Sequence, residues 1–153
     1  MVFRKMEKED LEQVCKIERD SFTLPWSYQS FSESLKKEAN LYLVAEEKEE
    51  ILAYCGVWVV AGEGQINNIA VKKEKQSEGI GSALLCFLFK EGKRRQIQQF
   101  TLEVRESNKK AIRLYEKMGF EKLGIRPGFY ERPKEDAWIM TVITSMKDFE
   151  EPI

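Results

Sequence analysis

At 153 residues the chain has the length of one compact domain, able to bury roughly 70% of its unfolded surface, and its 42% apolar and 33% charged composition excludes disorder and collagen-like repeats. A net charge of −1, from 25 basic and 26 acidic side chains, gives no overall electrostatic case for nucleic acid or an anionic membrane as partner. The chain has no histidine, which excludes serine–histidine triads, histidine bases and histidine-ligated metals and leaves acid–base chemistry to Asp, Glu, Tyr, Cys or Lys.

In chain order, a short strand is predicted at 2–6. A helix follows over roughly 8–20, where Leu11, Val14, Cys15 and Glu18 recur at helical spacing. Thr23-Leu24-Pro25-Trp26 breaks it, and Ser27 is placed to cap a second helix over 28–37 with Phe31 and Leu35 on one face. A meander of three strands is expected next, at 41–45, 51–60 and 65–71, turning at Glu46–Glu50 and at Ala61-Gly62-Glu63-Gly64. A loop over 72–78 leads into an almost wholly apolar helix from Gly79 to about Gly92. The alternating strand 100–104 and a helix from Asn108 to Met118, stopped by Gly119, follow. Two final strands are expected near 120–125 and 137–143. This order of elements implies an α+β fold with a mixed, mostly antiparallel sheet of six to seven strands and helices on both faces. Without repeats or Gly/Ser/Pro linkers, residues 1–153 read as one domain.

Cys15, Cys55 and Cys86 show no CxxC spacing and lie in apolar stretches, as buried thiols of a reducing compartment do. The longest apolar runs are too short to span a bilayer, and the opening MVFRKMEKED has no apolar signal-peptide core. A cytoplasmic protein with neither membrane nor metal as partner is therefore expected. Positive charge is concentrated locally: residues 90–122 carry 10 basic and 5 acidic side chains, against 8 and 12 in residues 1–50. An anionic small ligand would be met there.

Gln76-Ser77-Glu78-Gly79-Ile80-Gly81-Ser82 runs from a strand end into a helix, with two glycines that let backbone N–H groups approach an anion. It is neither a P-loop nor a GxGxxG dinucleotide fingerprint. The set Asn67-Asn68-Ile69-Ala70-Val71, Gln76-x-x-Gly79-x-Gly81 and Ala83-Leu84-Leu85 resembles the acetyl-CoA-binding core of the GNAT acyltransferase superfamily. Leu102-Glu103-Val104-Arg105, Ser107-Asn108, Ala111-Ile112, Leu114-Tyr115-Glu116 and Met118-Gly119-Phe120 extend the likeness. With the upstream Phe22 and Pro25-Trp26-Ser27, the set looks specifically like the bacterial ribosomal-protein-alanine N-acetyltransferase (RimI-like) branch.

The resemblance implies that backbone groups of Ile69, Ala70 and Val71 pair with the pantetheine arm of acetyl-CoA as an added strand would. It implies that the amides of Ser77, Glu78, Gly79, Ile80, Gly81 and Ser82 cradle the pyrophosphate, and that Asn108 holds the cofactor near its thioester. Glu78 departs from what a diphosphate site wants, so its side chain is expected in water. Glu103 takes the position of the general base and Tyr115 that of the acid that protonates the leaving thiolate. By residue type alone, Glu103 could equally be a solvated carboxylate and Tyr115 a core ring with a satisfied hydroxyl. Trp26, Phe129 and Tyr130, in loops and in the Gly128-Phe129-Tyr130 turn, are candidates for the acceptor groove or for plugs at the sheet edge. The implied activity is acetyl transfer to a protein or peptide N-terminus, a ribosomal protein among the candidates. A small amine, a lysine side chain or a non-catalytic CoA-binding module are the alternatives.

Overall fold

The structure, a computed structural model, describes residues 1–145. Its strands are β1 (Val2–Lys5), β2 (Leu41–Glu47), β3 (Glu50–Val60), β4 (Glu63–Val71), β5 (Gln99–Arg105), β6 (Glu121–Glu131) and β7 (Lys134–Ile143). Its helices are α1 (Leu11–Ser21, entered through a 3₁₀ turn at Lys8–Asp10), α2 (Tyr28–Leu35), α3 (Ile80–Arg94) and α4 (Lys109–Lys117). The seven strands form one sheet in the order β1-β2-β3-β4-β5-β7-β6, with β4 and β5 parallel and every other pair antiparallel. The mixed, mostly antiparallel sheet expected from the sequence is what forms.

Both faces of the sheet are covered, and the strand sequences show why. In β2, Leu41, Leu43 and Ala45 face the core built with α3, while the alternate Tyr42 and Val44 face the core built with α1 and α2. A strand buried on two sides must read as a continuous apolar run, and Leu41–Ala45 does. Two tight turns hold the meander. Lys48 and Glu49, then Ala61 and Gly62, carry the paired positive φ values of the hairpin turn whose twist matches the strands. Ser27 caps α2 by accepting the Ser30 N–H at 3.1 Å. Among the described residues no helix is long and apolar enough to cross a membrane.

One expected element is corrected. Gly128-Phe129-Tyr130 is not a turn before the last strand; it lies inside β6, beside an irregularity in the pairing with β7. The reversal comes later, at Arg132-Pro133. As the outermost strand, β6 tolerates Pro127, whose missing N–H would break a central ladder.

Candidate active site

The site begins where two strands part. β4 and β5 pair only from Glu63/Gln99 to Gln65/Thr101. Beyond Gln65, β4 stays paired to β3 alone, as far as Val71. Its other edge, through half-buried Ile69, Ala70 and Val71, is open to an extended ligand. The Val71 carbonyl accepts a bond from Gln76 Nε2 at 3.1 Å, and Gln76 Oε1 in turn accepts from Lys110 Nζ at 3.1 Å.

The loop after β4 turns its amides outward. Ser77 and Gly79 have φ of 67° and 85°, alternating left-handed residues of the kind that gather N–H groups into an anion-binding concavity. From Ser77 onward, Ala83 N–H is the first to find a backbone acceptor, the Gly79 carbonyl at 3.1 Å. Among the described residues the amides from Ser77 to Ser82 have none. The two glycines serve different ends. A Cβ on Gly79 would meet nothing within 4 Å, so its positive φ is what calls for glycine, whereas a Cβ on Gly81 would lie 3.0 Å from Leu114 Cδ2 and 3.6 Å from Val71 Cγ2. Gly81 lets the start of α3 pack against α4 and β4. The Glu78 side chain is exposed. Asn108 caps α4, its Oδ1 accepting the Ala111 N–H at 3.2 Å.

Burial alternates along β5: Phe100, Leu102 and Val104 are in the core, while Thr101, Glu103 and Arg105 point to the α1/α2 side. α1 packs on β3 and on β4 at Ala70 and Asn68, while Gln65 and Glu103 stay only half-buried. Glu103 is 14% exposed. Its Oε2 accepts from Gln65 Nε2 at 2.8 Å, and its Oε1 lies 3.7 Å from Arg126 Nε. Gln65 and Arg126 were not foreseen, because the strand register that brings them to Glu103 is not written in local sequence.

Tyr115 comes from the other side of the sheet. It is 7% exposed, with its ring 5.7 Å from Phe120 within the α3/α4 core. Among the described residues its hydroxyl makes no hydrogen bond. Burial, then the nearby Tyr130 and Cys55, raise the Tyr115 phenol above its ordinary range. The Tyr130 phenol, pushed up to about 12 chiefly by burial, lies within electrostatic reach of Arg105 and Glu103. Tyr130 is thus within electrostatic reach of both candidate catalytic groups.

The other acceptor candidates separate. Trp26 is half-buried between Phe31 (5.4 Å) and Trp58 (5.8 Å). It also lines a cavity of about 340 Å³ with Ser30, Glu33, Ser34, Lys37 and Trp58. Phe129 is 44% exposed at the rim. A further cavity of about 380 Å³ opens between α2, β1 and β2. Both cavities flank α2 rather than the strand opening, which is a groove with one side free, as an extended ligand requires. Cys15, Cys55 and Cys86 are all buried.

The acetyltransferase (GNAT) family profile matches residues 11–120. The chain belongs to this family. It is 36% identical over 143 residues to the [ribosomal protein bS18]-alanine N-acetyltransferase of Escherichia coli, covering 92% of this chain and 96% of that one. A Bacillus subtilis protein provisionally given the same name is 40% identical over 140 residues, covering 91% and 93%. The crystal structure of the ribosomal-protein-S18-alanine N-acetyltransferase from Escherichia coli superposes with a TM-score of 0.87 at 33% identity, covering 99% of both chains. The protein is an N-acetyltransferase, and enzymes of this family take their acetyl group from acetyl-CoA.

Proposed function

We propose that the protein transfers the acetyl group of acetyl-CoA to the N-terminal α-amine of a protein, with the terminal alanine of a ribosomal protein, bS18 in its relatives, as the acceptor. The observation that supports the reading is that Glu103 and Tyr115 lie on opposite faces of the sheet, Glu103 bonded to Gln65, the last residue of β4 paired to β5.

The residues fit acetyl-CoA. The free amides of Ser77, Glu78, Gly79, Ile80, Gly81 and Ser82 suit a pyrophosphate, and the α3 N-terminus adds its dipole. The open edge at Ile69, Ala70 and Val71 suits the amides of pantetheine, with Gln76 giving up Val71 when the arm arrives. Asn108 keeps its Nδ2 for the cofactor while Oδ1 caps α4. Bound there, acetyl-CoA supplies a thioester activated for attack by an amine.

Glu103 accepts the proton of the incoming amine, directly or through one water. An α-amine titrates near 8, so only modest help is needed at neutral pH. The Gln65 amide aims the carboxylate, and the Arg126 guanidinium lies beside its other oxygen. Tyr115 donates its proton to the departing thiolate. Its raised phenol stays protonated at every working pH, though it is a weaker acid than an unperturbed tyrosine. Transfer is direct, without a cysteine intermediate: burial pushes the Cys55 thiol up to about 12 and the Cys15 thiol also upward, which suppresses the nucleophilic thiolate. Trp26, Phe129 and Tyr130 line the approach of the acceptor chain, Trp26 doubling as core.

The test is a comparison of kcat/KM. A peptide copying the N-terminus of bS18 should exceed a small primary amine and a lysine-bearing peptide with a blocked terminus by about tenfold or more. Equal or reversed preference would overturn the acceptor assignment.

A further inference from the structure

Two residues beyond Glu103 on β5, Arg105 reaches into both walls of the site. Its Nη1 donates to the Pro133 carbonyl at 2.8 Å and to Glu135 Oε1 at 3.3 Å. Its Nη2 donates to the Arg132 carbonyl at 2.9 Å and to Thr23 Oγ1 at 3.4 Å. The guanidinium lies over the Tyr130 ring, 4.3 Å from its centre. One wall is thus the β6–β7 hairpin and the other is the loop between α1 and α2, which carries Trp26. Among the described residues no other side chain hydrogen-bonds both.

The hairpin is tied back a second way. Glu135 accepts the Ser107 N–H through its other oxygen at 2.6 Å, and Ser107, through its side chain first and then its N–H, holds the carboxyl below the usual range with help from Arg105. Ser107 leads into α4, which brings Asn108 and Tyr115. The loop has its own rear anchor: Glu18, 2% exposed, accepts the Trp26 N–H at 2.9 Å and also holds the Tyr54 hydroxyl and Asn68. Arg105 is the front brace, joining this anchored loop to an anchored hairpin across the mouth of the site.

We propose that Arg105 is a positioning residue that sets the spacing of the two acceptor walls around Glu103, and so governs affinity for a chain-length acceptor while taking no part in the proton transfers. The proposal rests on the reading of the site as one that acetylates a peptide amine. The geometry favours a brace over a substrate ligand, since four donations and a stacking face are already spent on the protein. It also demands arginine. A lysine would keep the charge but not the planar fork that spans two carbonyls, a carboxylate and a hydroxyl while stacking on a ring. A small amine has no chain to lay between the walls, so its turnover should be indifferent to their spacing.

The experiment compares wild type, Arg105→Lys and Arg105→Ala in two independent arms. In the kinetic arm, both variants should raise KM for an alanine-started peptide about tenfold, the worth of roughly one charge-assisted hydrogen bond. KM for acetyl-CoA and the rate with a small primary amine should change less than about twofold. Lysine failing as badly as alanine is the signature of the fork. In the second arm, amide hydrogen exchange should quicken in residues 22–27 and 128–136 of both variants while α3 and β5 stay protected. Full rescue by lysine, a fall in kcat at unchanged peptide KM, or unaltered exchange in both walls would overturn the proposal. If the wild type acetylates no peptide, the acceptor reading fails, and the exchange arm still decides whether Arg105 braces the walls.

Discussion

Tyr115→Phe removes a single oxygen atom, and the structure makes its consequences unusually separable. The ring packs on Phe120 and stays in place, so no cavity opens. Because the hydroxyl bonds to no group among the described residues, no protein hydrogen bond is lost. Stability should change by less than about 0.5 kcal/mol, a shift of at most about 2 °C in Tm for a domain of this size. Catalysis should respond on another scale. A general acid is typically worth about 10²-fold or more, or about 2.7 kcal/mol of barrier. The assay is thiol release at saturating acetyl-CoA and peptide, with a thermal melt on the same preparation. Turnover should fall about a hundredfold with KM for acetyl-CoA little changed, the behaviour of a contact made only in the transition state. The pH profile adds a second check. Tyr115 must be protonated to act, and a phenol raised above its ordinary range loses its proton only at higher pH. Wild-type kcat should therefore show no fall on the basic side through the ordinary tyrosine value near 10. Normal turnover in the folded variant would remove Tyr115 from the mechanism.

Glu103→Gln should reduce the rate most at low pH, where the acceptor amine is charged, and recover part of it at high pH; a loss independent of pH in the rate profile would reassign Glu103 to positioning. Gly81→Val should weaken CoA binding in calorimetry and also lower the thermal midpoint, because its side chain would crowd Leu114 and Val71 at a cost of about 1–3 kcal/mol. Gly79→Ala, with open space around it but a φ of 85°, should weaken CoA binding through strained loop backbone, with steric crowding absent; an unchanged CoA affinity in both variants would remove the loop from the cofactor site. Burial alone would raise the Asp10 carboxyl, but the paired bonds from Arg4 at 2.7 and 2.8 Å and the Glu7 N–H hold it below its usual value. A depressed carboxylate stabilises the fold above the unfolded value of about 4 and loses that contribution as pH falls through the lower folded value. Acid denaturation of Asp10→Asn should accordingly lack that part of the pH dependence, and a curve parallel to wild type would contradict it.

Where local pattern and packing agreed, the sequence was readable. The alternation at Phe100–Val104 announced which residues face the core and left Glu103 on the other face, and the apolar stretch after Gly79 became α3 with most of its length buried. The strand pair at the end of the chain was less legible. β6 is exposed along nearly all its length and contains Pro127 and Gly128, so only its first half, near 120–125, was marked in the sequence, and Phe129 and Tyr130 looked like a turn. The groups that complete the site come from register. Gln65 meets Glu103 because β4 and β5 run parallel for three residue pairs before parting. Arg126 arrives along the edge strand, and Arg105 is aimed by contacts up to 82 residues away in sequence. No window of local sequence contains such information. The cofactor loop lies between these extremes: its glycines are visible in the sequence, but only the structure shows that Gly79 supplies a backbone angle and Gly81 a packing surface.

The account's central claim is that the site delivers acetyl to a chain's terminal α-amine. The most direct measurement offers one peptide two choices. A peptide beginning with alanine and carrying an internal lysine is incubated with the protein and acetyl-CoA, and fragmentation mass spectrometry locates the product. The account predicts a single acetyl group on the alanine nitrogen, and no product when that nitrogen is blocked beforehand. Acetyl on the lysine alone, or no acetyl on a protein shown by calorimetry to bind acetyl-CoA, would contradict it.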